Sequence, residues 1–118
     1  MARYVDGFVI PVPKRDLKKY RRQAAMAGKV WREHGALDYV EAVGDDLEAK
    51  KITPFPRAAR AKPGETVIFS WIVYKSRAHR DHVNAKVMKD PRILKMMDEM
   101  PFDGKRMAYG GFKVIVDL

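Results

Sequence analysis

Residues 65–74 read ETVIFSWIVY, and Val67, Ile68, Phe69, Trp71, Ile72, Val73 and Tyr74 within them are all strong strand formers. This is the clearest strand in the chain. On its C-terminal side Ser76 is placed to cap a helix running to about Lys89, with Val83 and Val87 on one face. Asp90-Pro91 starts a shorter helix carrying Ile93, Leu94, Met97 and Met100, because proline belongs in a first turn, and Pro101 stops it. Asp103-Gly104 reads as a turn, and Arg106 to Val116 as a last strand. Gly110-Gly111 inside that strand marks either a bulge or a close backbone approach.

On the N-terminal side, Gly44 to Gly64 is too long for a structureless loop in so small a chain. Pro56 followed by Arg57 to Ala61 suits one or two helical turns. Ala36 to Val43 alternates as a strand. Before it, Leu17, Tyr20, Ala24, Ala27 and Trp31 recur at three- and four-residue spacing within Lys14 to His34, an amphipathic helix that Gly35 ends. Tyr4 to Val12 is a strand stopped by Pro13. The order is β-α-β-β-α-β. That order predicts an α+β, ferredoxin-like antiparallel sheet with both helices on one face and the first and third strands in the middle.

The 118 residues suit one domain, 1–118, and 47% hydrophobic content supplies a packed core. No cysteine is present, which removes disulfides, thiolate metal sites and cysteine nucleophiles and suits a reducing, cytoplasmic setting. Asp6, Pro11 and Pro13 break the apolar run that a signal peptide or membrane span needs. Lysine and arginine number 24 against 15 acidic residues, a net charge of +9. Lys14, Arg15, Lys18, Lys19, Arg21 and Arg22 could contact nucleic acid. Nucleic acid is nevertheless disfavoured, because the aromatic Tyr20 between them faces inward and the basic face of an amphipathic helix is ordinarily solvated.

Two helices cover only one side of such a sheet. Close helix packing favours small residues, so the expected helix-facing set is Val5, Gly7, Val9, Val40, Ala42, Ile68, Ile72 and Ala108. The opposite set would be Tyr4, Asp6, Phe8, Ile10, Tyr39, Glu41, Val43, Phe69, Trp71, Val73, Met107 and Tyr109. A face so aromatic is not a solvated one. A second copy packed sheet against sheet, a homodimer, is the economical way to cover it.

Four stretches carry a resemblance: Tyr4–Phe8, Phe69–Ile72, Met88–Arg92 and above all Pro101–Phe112, PFDGKRMAYGGF. With these the chain resembles the YbaA-like family of small bacterial proteins of unknown function. The resemblance implies a dimeric α+β barrel, an architecture shared with antibiotic-biosynthesis-type monooxygenases, heme-degrading enzymes and small-molecule-binding proteins. It carries no catalytic residue and no activity with it, since a fold does not confer a function.

Asp6, Glu41, Trp71 and Tyr109 are the catalytic candidates, expected together on one sheet face. A carboxylate enclosed by aromatic rings loses hydration and is suited to general acid or base work. The alternative is that Asp6 pairs with backbone donors or a cationic side chain, Lys105 or Arg106, and only fixes strand register or the dimer. Phe8, Trp71, Asn84, Met88 and Arg106 are the ligand-binding candidates. Asn84 and Met88 lie one turn apart on the second helix, and Asn84 with Trp71 would resemble the polar pairs of cofactor-free oxygenases on this barrel. His79 and His82 are three residues apart but lack further ligands, so neither a metal nor a cofactor is expected. The leading functional reading is a homodimer binding a small, partly apolar molecule beneath the sheet, with oxygenase-like or isomerase-like chemistry. A non-enzymatic binding or structural dimer is the alternative, and nucleic-acid binding through the first helix comes third.

Overall fold

The computed structural model describes residues 2–118. Strand β1 (Tyr4–Pro13) leads through a 3-10 turn into α1 (Leu17–Glu33), followed by β2 (Asp38–Val43), the short α2 (Phe55–Ala58), β3 (Glu65–Tyr74), α3 (Arg77–Val87), α4 (Pro91–Met97) and β4 (Ala108–Lys113). The sheet is antiparallel with strand order β2-β3-β1-β4, so β1 and β3 are central as the element order requires. Gly35, at φ +118°, closes α1 in a conformation that side-chain-bearing residues avoid. The Ser76 hydroxyl accepts from the His79 N–H to cap α3, and Asp90 does the same for Arg92 at the start of α4, where Pro91 occupies the first turn.

The last strand is shorter than its sequence pattern. It starts at Ala108, after a 3-10 turn at Gly104–Arg106, and ends at Lys113. No bulge interrupts it: Gly110 pairs with Gly7 and Gly111 with Asp6 in unbroken register. Of the two readings of the glycine pair, close approach is the right one. A Cβ on Gly111 would stand 2.5 Å from the Tyr4 hydroxyl and 2.7 Å from an Arg80 guanidinium nitrogen.

Register also corrects which side chains lie beneath the helices. Cross-strand partners share a face. Asp6 opposes Ile72 and Gly111, Phe8 opposes Ser70 and Tyr109, and Glu41 opposes Ser70. Ile72 and Ser70 are buried under the helices. Tyr4, Asp6, Phe8, Ile10, Tyr39, Glu41, Val43 and Tyr109 are therefore helix-facing, the reverse of the expectation, while the assignments of Ile68, Ile72, Phe69, Trp71 and Val73 hold. Trp71 opposes Gly7 and Val40, on the uncovered face. The physical reason is that the helices stand off the sheet. Long side chains span that gap, and the small residues lie on the outer face, where Phe112 lies within 3.3 Å of where a Gly7 Cβ would be.

The outer face remains apolar after this exchange. Phe55, Phe69 and Trp71 form a row with ring centroids 5.9 and 5.6 Å apart, and Phe69 and Phe112 are 46% and 61% exposed. Beneath the helices the core is divided in two. One cluster joins Val30, Tyr74, Val83, Val87 and Ile93; the other joins Ile10, Val12, Tyr20 and Ile68. Each fully buried valine in them contributes about 1.5–3 kcal/mol. Phe8 packs against both clusters.

Gly28, inside α1, lies against the Tyr39 ring, and a Cβ there would come within 2.7 Å of it. Overpacking costs about 1–3 kcal/mol, whereas alanine recovers about 0.5–1 kcal/mol of helix propensity. Gly28→Ala is accordingly expected to lower stability by about 1 kcal/mol in chemical denaturation; a stabilised variant would contradict this packing.

Candidate functional site

Between the two core clusters lies a cavity of about 560 Å3. β1 places Asp6, Phe8 and Ile10 on its floor, β2 adds Tyr39 and Glu41, and β3 adds Ser70 and Ile72. Tyr20, Ala24, Ala27 and Trp31, the inward stripe of α1, form one wall. Asn84 comes from α3 and Met88 directly follows it, and Met96, Met97, Met100, Phe102, Met107 and Tyr109 close the remaining side. Methionine is flexible and polarizable, so this wall adapts to the shape of an occupant.

Asp6 is the centre of the polar arrangement. It is 1% exposed on the middle of the sheet. Its Oδ2 accepts from Asn84 Nδ2 at 3.4 Å, and its Oδ1 lies 3.7 Å from Arg80 Nε, near enough for charge attraction but beyond hydrogen-bond distance. Oδ1 and Arg80 Nε are consequently both buried without a hydrogen-bond partner. Asn84 is held in one orientation because its Oδ1 accepts twice, from the Trp31 indole N–H at 3.0 Å and the Tyr74 hydroxyl at 3.2 Å. An indole nitrogen can only donate, so the amide must turn its N–H groups toward Asp6. Arg80 in turn donates to the hydroxyls of Tyr4 and Tyr109 at 3.2 and 3.3 Å and lies 5.0 Å from the Tyr4 ring centre. Burial works against the Arg80 charge, but the Tyr4 hydroxyl and Asp6 outweigh it and raise its pKa above the ordinary value. Burial, reinforced by the charge of Asp6, raises the hydroxyl pKa values of Tyr74 and Tyr109.

A second carboxylate closes the far end. The Tyr20 hydroxyl donates to Glu41 Oε1 at 2.5 Å and the Tyr39 hydroxyl to Oε2 at 2.6 Å. Burial, then the Glu41 charge, pushes both phenols well above their usual range, which keeps them protonated as donors.

Asp6, Glu41, Tyr109, Phe8, Asn84 and Met88 are thus brought together around one cavity. Trp71 is not among them, because the β3 pleat turns it to the outer face. The indole at Asn84 is Trp31 from α1. Arg106 is not among them either, and it is not the partner of Asp6. It makes a two-pronged pair with Glu65 at 2.7 and 2.9 Å and donates to the Arg60 carbonyl, tying the start of β4 to the start of β3. Lys105 is exposed. Arg80, Tyr74 and the Tyr20–Tyr39 pair escape a sequence reading, although the Tyr20–Trp31 stripe of α1 shows which helix face turns inward. His34 bonds Asp90 at 3.0 Å and His79 Nδ1 accepts from the Lys75 N–H. Among the described residues no group of three or more His, Cys, Asp or Glu side chains could hold a metal ion. No helix of the described residues is long and apolar enough to cross a membrane.

Residues 3–104 match the model of a family described as proteins of unknown function, DUF1428. The uncharacterized protein YbaA of Escherichia coli K12 is 48% identical over 115 residues, covering 98% of both chains, and that of Shigella flexneri matches equally. Solved structures share the fold at low identity. A Nitrosomonas europaea protein provisionally named an antibiotic biosynthesis monooxygenase aligns with a TM-score of 0.63 at 12% identity, covering 97% of this chain and 91% of its own. A dimeric ferredoxin-like protein from an uncultured marine organism aligns over the whole of both chains with a TM-score of 0.60 at 11% identity. A NIPSNAP family protein of unknown function from Agrobacterium tumefaciens gives 0.60 at 14%, covering 96% of this chain and 88% of its own.

Two expectations follow from this geometry. Asn84→Leu strands the Trp31 N–H, the Tyr74 hydroxyl and Asp6, and is expected to cost at least about 1–3 kcal/mol in denaturation; an unchanged midpoint would contradict the network. The Arg106 hydrogen bonds lower the Glu65 pKa from 4.5 to about 2. A carboxylate depressed in the folded state stabilises above its unfolded pKa, and that contribution fades as pH falls through the folded value. Glu65→Gln should therefore flatten the stability profile between pH 4.5 and 2, measured by thermal melting; an unaltered acid limb would contradict it.

Proposed function

The chain belongs to the DUF1428 family, and we propose that it acts as a homodimer in which each protomer binds a small, partly apolar molecule in the Asp6 cavity. The observation that carries this reading is the cavity of about 560 Å3, lined mainly by apolar and aromatic side chains and floored by Asp6, whose buried Oδ1 accepts no hydrogen bond and has only Arg80 Nε nearby, at 3.7 Å. Such an atom is costly in an empty protein interior and is satisfied by a ligand that brings its own polar hydrogen. The apolar and aromatic walls suit the rest of that ligand. Asp6 is held in place by Asn84 and Arg80, so removal of a proton from the bound molecule is the chemistry the site supports. That step is common to isomerase-like and cofactor-free oxygenase-like reactions.

The dimer is supported by the apolar outer face of the sheet, where Phe69 and Phe112 are exposed beside Trp71. Fold neighbours described as dimeric ferredoxin-like proteins agree with it. The absence of cysteine supports a cytoplasmic setting.

Native mass spectrometry of freshly purified protein tests both halves. The expected species is a dimer carrying one small mass per protomer, lost in Asp6→Asn while the dimer persists. Trp71→Glu is expected to yield folded monomer. A wild-type monomer would contradict the dimer. A bare dimer that takes up no small apolar molecule on titration would leave dimerisation as the role of the aromatic face and overturn the cavity reading.

A further inference from the structure

Three acidic side chains line the cavity, Asp6 on its floor, Glu41 at its far end and Asp98 at its exposed rim, and no lysine, arginine or histidine does. This is the reverse of the chain as a whole, in which 24 lysines and arginines outnumber 15 acids. Resting on the cavity reading above, we propose that the ligand is a cation: an organic amine with an apolar, ring-sized body.

Acidic residues alone would not make a site. Here the cavity walled by aromatic rings and the Asp6 Oδ1 that accepts no hydrogen bond make it, and the acids decide its charge. Arg80 offsets Asp6 only in part. It lies outside the cavity lining, and its Nε is shared between Asp6 at 3.7 Å and Asp81 at 3.3 Å. Glu41 accepts hydrogen bonds from two neutral phenols, and no salt-bridge partner lies within 4 Å of it among the described residues. An ammonium group is a donor without acceptors, which matches a carboxylate oxygen that accepts no hydrogen bond.

The walls point the same way. Phe8, Tyr20, Trp31, Tyr39, Phe102 and Tyr109 all line the cavity. Aromatic faces attract cations, most of all where water is excluded. A carboxylate or phosphate ligand would find no cationic partner and would face Asp6 and Glu41 at close range. Selection against anions is thereby built into the same wall.

Three probes of one shape separate the cases at neutral pH: 2-(1-naphthyl)ethylamine, 2-(1-naphthyl)ethanol and 1-naphthylacetate, titrated calorimetrically into the full-length protein. The amine is expected to bind at least tenfold more tightly than the alcohol, and the carboxylate most weakly. Nonspecific attraction to a +9 protein would give the opposite order. Asp6→Asn is expected to shrink the preference of amine over alcohol to within about threefold while the alcohol still binds; Glu41→Gln, an exchange at a less buried position, should reduce it in the same direction. Saturable binding with the alcohol or carboxylate equal to the amine would overturn the cation assignment and leave the cavity reading standing. Failure of all three probes to saturate would overturn the cavity reading and the assignment with it.

Discussion

A carboxylate withdrawn from water on the central strand is the constraint around which this molecule is arranged. An uncompensated buried charge costs several kcal/mol, so Asp6 is tolerated only because Arg80 and Asn84 reach it. Each of those groups is fixed in turn. Asn84 is oriented by Trp31 and Tyr74, and Arg80 by Tyr4 and Tyr109. The guanidinium and the Tyr4 hydroxyl occupy the space where Gly111 has no side chain, which accounts for a glycine in a pairing strand. One polar requirement therefore ties together β1, α1, α3, β3 and β4.

A cavity lies between the helices and the sheet. Side chains as long as tyrosine and tryptophan span the gap from both sides, and the core divides into two clusters with a cavity between them. Two carboxylates at opposite ends are treated differently. Glu41 has both oxygens occupied by phenols, whereas Asp6 Oδ1 accepts no hydrogen bond and has only Arg80 Nε near it, at 3.7 Å. A saturated carboxylate braces a wall; an unsaturated one is available to an occupant. Methionines on the α4 side let that wall follow the occupant's shape, so the site combines one rigid polar floor with an adaptable apolar cover.

Much of the fold is legible in the sequence, and the facing of its strands is not. The ETVIFSWIVY strand, the α1 stripe and the Ser76 and Asp90-Pro91 starts place every major element and the order of the sheet. In β3 the alternation is sufficient, because Ile68 and Ile72 are flanked by the large aromatics Phe69 and Trp71, which α1, α3 and α4 leave uncovered and only Phe55 of the short α2 approaches. In β1 both faces are apolar, so alternation alone does not say which is covered, and Asp6 looks like a residue for the outside. Its compensation comes from Arg80 and Asn84, more than 70 residues away, and no local pattern announces such a pairing. The candidates Asp6, Glu41, Tyr109 and Phe8 still converge, because they share one sheet face whichever side that face takes, and Asn84 and Met88 join them only because that face lies beneath the helices. Trp71 separates from them for the same reason: it belongs to the one strand whose facing is read correctly.

Methionine methyl NMR tests the central claim, that the cavity is a binding site, most directly. Met88, Met96, Met97, Met100 and Met107 line it, while Met26 lies on the exposed side of α1 outside it. With carbon-13 methyl labels, titration of 2-(1-naphthyl)ethylamine is predicted to move the cavity resonances together along one saturating curve and leave Met26 in place. Shifts at Met26 alone, or none at the cavity methionines under saturating probe, would contradict the account.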